Sequence, residues 1–148
     1  MEISLTKEQY EDLVKLVFLG TWIINSFRTD DRIKKFDELE QHIFSYFKEF
    51  GLQEYIEQDN KLKEFFVTRR LEEGELDQYI DDYDNNNFWD ELVHRLARRD
   101  FLKEYGDDKI AKMSWEERFK KESPFIEKYE EEFEKYGIER TEILRQKD

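Results

Sequence analysis

The chain contains no cysteine, a single proline and only five glycines among its 148 residues. Without cysteine it can form neither a disulfide framework nor a thiolate metal site, which fits a reducing compartment. No stretch is apolar over the roughly 20 residues of a membrane-spanning helix, and the first residues lack the pattern of a signal peptide. We therefore expect a cytoplasmic location and no association with a membrane.

Charged residues make up 43% of the chain and aromatic residues 16%. High charge alone is typical of disordered chains, but large aromatic rings bury much surface per residue. We expect a core of rings, leucine and isoleucine beneath a dense charged shell. The net charge of −13 disfavours direct nucleic-acid binding, because such binding requires a basic footprint.

Apolar residues recur with helical spacing along most of the chain, and no segment shows sustained strand-like alternation. Thr6 and Gln9 form a capping-box pair ahead of the first helix. These features predict an all-α fold, an irregular single-domain bundle of about five to seven helices. The domain should span residues 1–137, with residues 138–148 as a mobile C-terminal tail.

The first half of the chain gives two further predictions about helix boundaries. A second helix should begin at Thr29 or Asp30, since acidic residues favour the first turn. Short helical pieces should follow over residues 52–66, one of them capped by Asn60. Near residues 66–70, a short extended piece is the alternative to a helix.

The second half contains polar and proline signals for helix ends. The Asn85–Asn87 run should interrupt a helix, with Asn87 as the N-cap of the next one. Ser114 should cap a later helix. Ser123 and Pro124 should begin the last helix, because proline suits the first helical turn.

The most distinctive feature is a segregated run of negative charge. Residues 71–93, here called the acidic segment, contain nine acidic residues and no lysine or arginine. They carry −9 of the net charge of −13, and arginines flank them on both sides. The residues that we expect to contact a partner are Glu72, Glu73, Glu75, Asp77, Asp81, Asp82 and Asp84.

Two interpretations of the acidic segment are open. It is a negative face that steers a basic protein into register, or it is a solvated face partly neutralised by the flanking arginines. The first predicts a non-enzymatic interaction module, such as an adaptor, an inhibitor or an immunity- or antitoxin-like protein. Mimicry of nucleic acid is a special case of it. The aromatic content also allows a homodimer, since interfaces are rich in such residues.

A metal-binding helical bundle or metal-dependent enzyme is the alternative function. Glu91 and His94 have Glu-x-x-His spacing, and Glu38 lies four residues before His42. A di-iron bundle needs two Glu-x-x-His pairs, and the second is missing. The ordinary interpretation is two surface histidines, so we predict no metal and no cofactor.

Two other chemical motifs are incomplete. Asp82, Asp84 and Asn86 match the opening of a calcium-binding EF-hand loop. Its sixth position, however, is Asn87 instead of glycine, and its twelfth is Val93 instead of glutamate. The sequence also lacks a G-x-S-x-G turn and a glycine-rich phosphate loop, so no catalytic residue is predicted.

Overall fold

The computed structural model describes residues 3–142. The chain divides into two compact units, Met1–Asp82 and Tyr83–Asp148. In chain order, the elements are α1 (Lys7–Asn25), α2 (Lys34–Phe44), β1 (Ile56–Gln58), β2 (Phe65–Val67), α3 (Arg69–Leu71), a π-helical turn (Glu72–Leu76), α4 (Asp77–Tyr105), α5 (Asp107–Ile110) and α6 (Trp115–Tyr136). The predicted all-α class is confirmed, and the described residues also contain one small two-stranded sheet.

The predicted domain limits are not decided by this division. One domain over residues 1–137 stays a prediction, and so does the mobile tail over 138–148. Residues 143–148 lie outside the described part of the chain.

Helix α1 begins where its sequence predicts. The Thr6 hydroxyl accepts a hydrogen bond from the backbone of Gln9 at 3.2 Å, and the Gln9 side chain accepts one from the backbone of Thr6 at 3.0 Å. This reciprocal cap satisfies two backbone donors that the first helical turn leaves free. The capping-box prediction is therefore confirmed.

The core of the first unit is built from rings, leucine and isoleucine, as expected. Tyr10 stacks on Phe50 with ring centroids 4.1 Å apart, and its hydroxyl donates to the backbone carbonyl of Ile43 at 2.6 Å. Burying the ring while bonding the hydroxyl avoids the cost of an unpaired polar group. The buried cluster comprises Tyr10, Val14, Phe44, Phe47, Leu52, Ile56, Leu71 and Leu76.

Helix α2 begins at Lys34 and not at Thr29 or Asp30, so that prediction is wrong. The reason is the buried side chain of Asn25, which fixes the preceding loop. Its carbonyl oxygen accepts from the backbone of Ile33 at 3.0 Å, and its amide donates to Asp37 at 3.0 Å.

The predicted helical pieces over residues 52–66 are also wrong, because a β-hairpin occupies this region. Strands β1 and β2 pair antiparallel, with Ile56 opposite Val67. Asp59, and not Asn60, organises the turn by accepting from the backbone of Lys61 at 2.7 Å and of Leu62 at 2.9 Å. The extended piece that was the alternative near 66–70 is present up to residue 67.

Helix α4 runs without interruption through the Asn85–Asn87 run. The predicted break and the predicted cap at Asn87 are therefore wrong. The boundary between the two units, after Asp82, also falls within this helix. The helix ends at Tyr105, before Gly106 with a positive φ of 74°, a conformation that glycine adopts without strain.

In the second unit, α4 and α6 meet through aromatic rings. Phe101 lies 5.9 Å from Phe125, and Trp89 lies 5.7 Å from Phe133, between ring centroids. Of these four rings Phe101 is fully buried and the others are half-buried. Within the described residues, none of the helices has both the length and the apolar composition that a membrane crossing requires.

Helix α6 begins after Ser114, whose hydroxyl accepts from the backbone of Glu117 at 3.1 Å, so this cap is confirmed. The predicted start at Pro124 is wrong, because the helix passes through that residue. Proline costs the helix one backbone hydrogen bond. The preceding hydroxyl, of Ser123, donates to the carbonyl of Phe119 at 2.8 Å.

Candidate functional site

The acidic segment lies on a π-helical turn and on the helix that follows it. Glu72, Glu73 and Glu75 belong to the turn, and Asp77 begins α4. Apart from Glu75, which is half-buried, the candidate partner-binding residues are exposed. The π turn inserts one extra residue per turn relative to an α-helix, which changes the direction of the side chains before α4.

Glu75 forms an ion pair within the fold. The ammonium of Lys15 donates to Glu75 at 2.6 Å and to Glu11 at 2.9 Å. Burial acts to lower the pKa of Lys15, but the hydrogen bonds to Glu75 and Glu11 outweigh it and raise the pKa above its usual value. The Glu75 carboxylate therefore stabilises the packing of α1 against the π-helical turn.

Three further acids of the segment have partners one helical turn away. Glu73 lies 3.6 Å from Arg69, Glu91 lies 2.8 Å from Arg95, and Asp90 lies 3.5 Å from His94. The expected neutralisation by flanking arginines thus occurs at both ends of the segment. Exposed pairs of this kind stabilise a helix by only about 0.3–0.5 kcal/mol.

Five other acids of the segment are different, and four of them lie in its middle. Among residues 3–142, no basic side chain forms an ion pair with any of five exposed acids of the segment. These unpaired acids are Glu72, Asp77, Asp81, Asp82 and Asp84. Asp77 and Asp81 are four residues apart on α4, so they project from the same side of the helix. Such carboxylates attract lysine and arginine side chains of another molecule.

The metal candidates do not form a cluster in the described part of the chain. Glu38 and His42 lie on α2 in the first unit, whereas Glu91 and His94 lie on α4 in the second. All four are exposed. Across residues 3–142, no three histidine or carboxylate side chains come together in a way that could hold a metal ion.

The incomplete calcium motif has a helical conformation. Asp82, Asp84 and Asn86 lie within about one turn of α4, with Asp84 on the opposite side of the helix from the other two. A calcium loop must instead wrap its ligands around the ion, with a sharp turn at a central glycine. The helix therefore cannot act as an EF-hand loop in this conformation.

Two of the arginines that follow the acidic segment form hydrogen bonds or ion pairs within the second unit. Arg99 donates to Asp100 at 2.8 Å and to the Tyr129 hydroxyl at 2.9 Å, and that hydroxyl donates to Asp100. The hydrogen bonds from Arg99 and Tyr129 lower the pKa of Asp100 to about 2. Arg98 lies 3.9 Å from Glu122. This network joins α4 to α6.

One half-buried carboxyl group of the first unit, with a raised pKa, was not identified from the sequence. Burial raises the pKa of Glu40, on α2, to about 7, and the nearby charge of Asp37 acts in the same direction. A hydrogen bond with Thr21 opposes both effects. The chain contains 38 acidic residues, and no sequence signal distinguishes Glu40 from the others.

A cleft in the second unit was also missed. It has a volume of about 650 Å³ and lies between α4 and the end of α6. Each helix contributes residues at positions i, i+3, i+4 and i+7, beginning at Asn86 and at Glu130. This spacing defines one face of a helix, but nothing in the sequence indicates which two faces meet.

Comparison of the chain with protein-family models, with curated proteins and with solved structures gave no match in any of the three searches.

Proposed function

We propose that the chain is a protein-interaction module whose acidic segment binds a basic partner protein. The observation that supports this most strongly is the set of five exposed, unpaired acids defined above. These five lie in a segment that contains no lysine or arginine, whereas Glu75 of the same segment is used by the fold through Lys15. A run of exposed like charges destabilises a helix slightly, and a cationic surface of another protein would relieve that repulsion.

The charge distribution suits rapid association more than tight packing. Complementary charges raise association rates and fix the register of two proteins, while adding less to affinity. A partner with lysine and arginine on its contact surface fits this description, and nucleic-acid mimicry remains a special case of it. A cytoplasmic location and a homodimer stay predictions.

Charge reversal within the segment tests the proposal. We expect the triple variant Asp81→Lys, Asp82→Lys and Asp84→Lys to lose basic proteins that the wild type captures from a lysate of the source cell at low salt. Captured proteins should be identified by mass spectrometry, and high salt should release them. Retention of the same proteins by the triple variant would contradict the proposal.

A matched control separates position from total charge. Asp12, Glu38 and Glu57 are exposed acids of the first unit that lie outside the acidic segment. Changing these three to lysine alters the net charge by the same amount as the test variant. We expect this control to capture the same basic proteins as the wild type, since its acidic segment is intact.

A further inference from the structure

The cleft between α4 and α6 combines an aromatic floor with an acidic rim. Trp89 and Phe133 form its floor and contact each other there, with centroids 5.7 Å apart and ring planes inclined at 43°. Phe88 packs edge-on against Trp89 at 5.0 Å, and Tyr129 stacks on Phe133 at 6.0 Å. These neighbours hold the two floor rings in place, so the cleft has a preformed apolar surface.

The rim carries only negative charge. Asp90, Glu130 and Glu134 line the cleft, and no lysine or arginine is among its lining residues. In the part of the chain that the structure describes, neither Glu130 nor Glu134 forms an ion pair. Asp90 has His94 at 3.5 Å, which is a cation only when protonated. The rim is therefore electrostatically complementary to a cation.

Aromatic faces add to this preference. The faces of tryptophan and phenylalanine rings attract cations, and the attraction grows when the cation is shielded from water. Carboxylates around such rings strengthen it further. A volume of about 650 Å³ lies within the usual range for small-molecule sites, so the cleft has room for the end of one long side chain.

We propose that this cleft binds an arginine side chain of the basic partner protein. The identity of this ligand rests on the proposed function, because the arginine would belong to the basic partner proposed there. The planar guanidinium stacks on aromatic rings and offers several donors in a fixed fork, which matches two carboxylates better than the compact ammonium of lysine does. In this arrangement the guanidinium lies against the cleft-facing side of the Trp89–Phe133 pair, and Glu130 and Glu134 accept its hydrogen bonds.

The end of α6 keeps one side of the cleft open. Gly137 ends the helix with a positive φ of 54° and lines the cleft. A β-carbon at this position would stand 3.8 Å from the indole ring of Trp89. Glycine thus supplies the chain reversal without a side chain between the solvent and the indole.

A small-molecule titration tests the cleft independently of the partner. The full chain should be titrated with N-acetyl-arginine amide while the three indole N–H signals are followed by NMR, with the Trp89 signal assigned from Trp89→Phe. We expect a saturable shift of the Trp89 signal and none of the signals of Trp22 and Trp115. The neutral isostere N-acetyl-citrulline amide should give no saturable shift, and N-acetyl-lysine amide a weaker one.

Two pairs of variants then identify the rim. Glu130→Gln with Glu134→Gln should weaken arginine amide binding by about tenfold, because two favourable charges are lost. Glu127→Gln with Glu131→Gln makes the same change in charge on the same helix, outside the residues that line the cleft. This control pair should change the affinity by less than about threefold.

The proposal is overturned if citrulline or lysine binds as well as arginine, if all three indole signals shift together, or if both variant pairs behave alike. Failure of the proposed function gives a different result, in which reversal at Asp81, Asp82 and Asp84 leaves partner capture unchanged while arginine amide still binds the cleft. The two proposals can therefore fail separately.

Discussion

The ammonium of Lys15 lies 2.6 Å from a carboxylate oxygen of Glu75. The lysine is on α1 and the glutamate is on the π-helical turn, 60 residues later in the chain. The Lys15 side chain is only 16% exposed, so its charge requires this partner. The acidic segment therefore contains two kinds of acid. Glu75 stabilises the fold through this contact, and the exposed acids face solvent.

Removal of the Glu75 charge should therefore destabilise the first unit. We expect Glu75→Gln to lower the free energy of unfolding by about 1–2 kcal/mol, because Glu11 is then the one acidic partner left to Lys15 among residues 3–142. Urea denaturation followed by circular dichroism measures this. The neighbouring exposed acid provides the control, and Glu72→Gln should change stability by less than about 0.5 kcal/mol. Equal losses in the two variants would contradict the assignment.

The half-buried carboxyl of Glu40 predicts a specific pH dependence. Its pKa is raised from 4.5 to about 7 in the folded chain, so the folded state holds the proton more tightly than the unfolded state. Its contribution to stability is complete below about pH 4.5 and is lost as the pH rises to about 7, by at most roughly 3 kcal/mol. We expect Glu40→Gln to be more stable than the wild type above pH 7.

The comparison should be made as a difference between variants, since the net charge also changes with pH. Urea unfolding of wild type and Glu40→Gln at pH 5, 6, 7 and 8 should give a difference that grows between pH 5 and 7 and then levels off. Glu38→Gln, at an exposed position on the same helix, should show no such trend. A constant difference for Glu40→Gln would refute the burial effect.

The helical conformation of the Asn85–Asn87 run can be tested by whether one substitution raises or lowers the free energy of unfolding. Asn87 lies inside α4 and is exposed, and alanine has the higher helix propensity. Asn87→Ala should therefore stabilise the chain by a few tenths of a kcal/mol. If Asn87 capped a helix, the same change would cost about 1 kcal/mol. Ser114→Ala, at an observed cap, should show that loss in the same urea experiment.

The network of Arg99, Asp100 and Tyr129 should stabilise the second unit. Tyr129→Phe removes a hydroxyl that both accepts from Arg99 and donates to Asp100, and we expect a loss of about 1 kcal/mol near neutral pH. Because the pKa of Asp100 is lowered to about 2, its contribution is present above about pH 3.8 and is lost as the pH falls through about 2.

The loss caused by Tyr129→Phe should therefore shrink in strong acid. Thermal unfolding at pH 7 and at pH 2 measures this difference. Tyr136→Phe, on the same helix, is the control. Its hydroxyl takes part in none of the hydrogen bonds found among residues 3–142, so little change is expected at either pH. A Tyr129→Phe effect that is the same at both pH values would contradict the linkage.

The parts of the fold that depend on local chemistry could be predicted from the sequence. Thr6 and Ser114 cap helices through contacts that span three residues, and glycines end helices at 106 and 137. The hairpin could not be predicted in this way. Gln41 binds the backbone of Phe65 through both its donor and its acceptor, at 2.8 and 2.7 Å, and this pairing across 24 residues is visible only in the folded chain.

For the candidate site, too, features of the sequence itself could be predicted and contacts between packed elements could not. Composition identified the acidic segment, because the segregation of charge is a property of the sequence. It could not show that Glu75 pairs with Lys15, since that contact needs two elements to pack. Likewise, local signals at Asn87 and Pro124 favour helix ends, but packing of the aromatic faces of α4 and α6 favours continuous helices.

The central claim is that the acidic segment binds a basic protein. The most direct measurement is the association rate and affinity of one purified basic partner, identified by capture, for the wild type and for the variant with Asp81, Asp82 and Asp84 changed to lysine. We expect the reversal to weaken binding by at least about tenfold at low salt, with the difference shrinking at high salt. Wild-type binding that is independent of salt, or a variant that binds equally well, would contradict the claim.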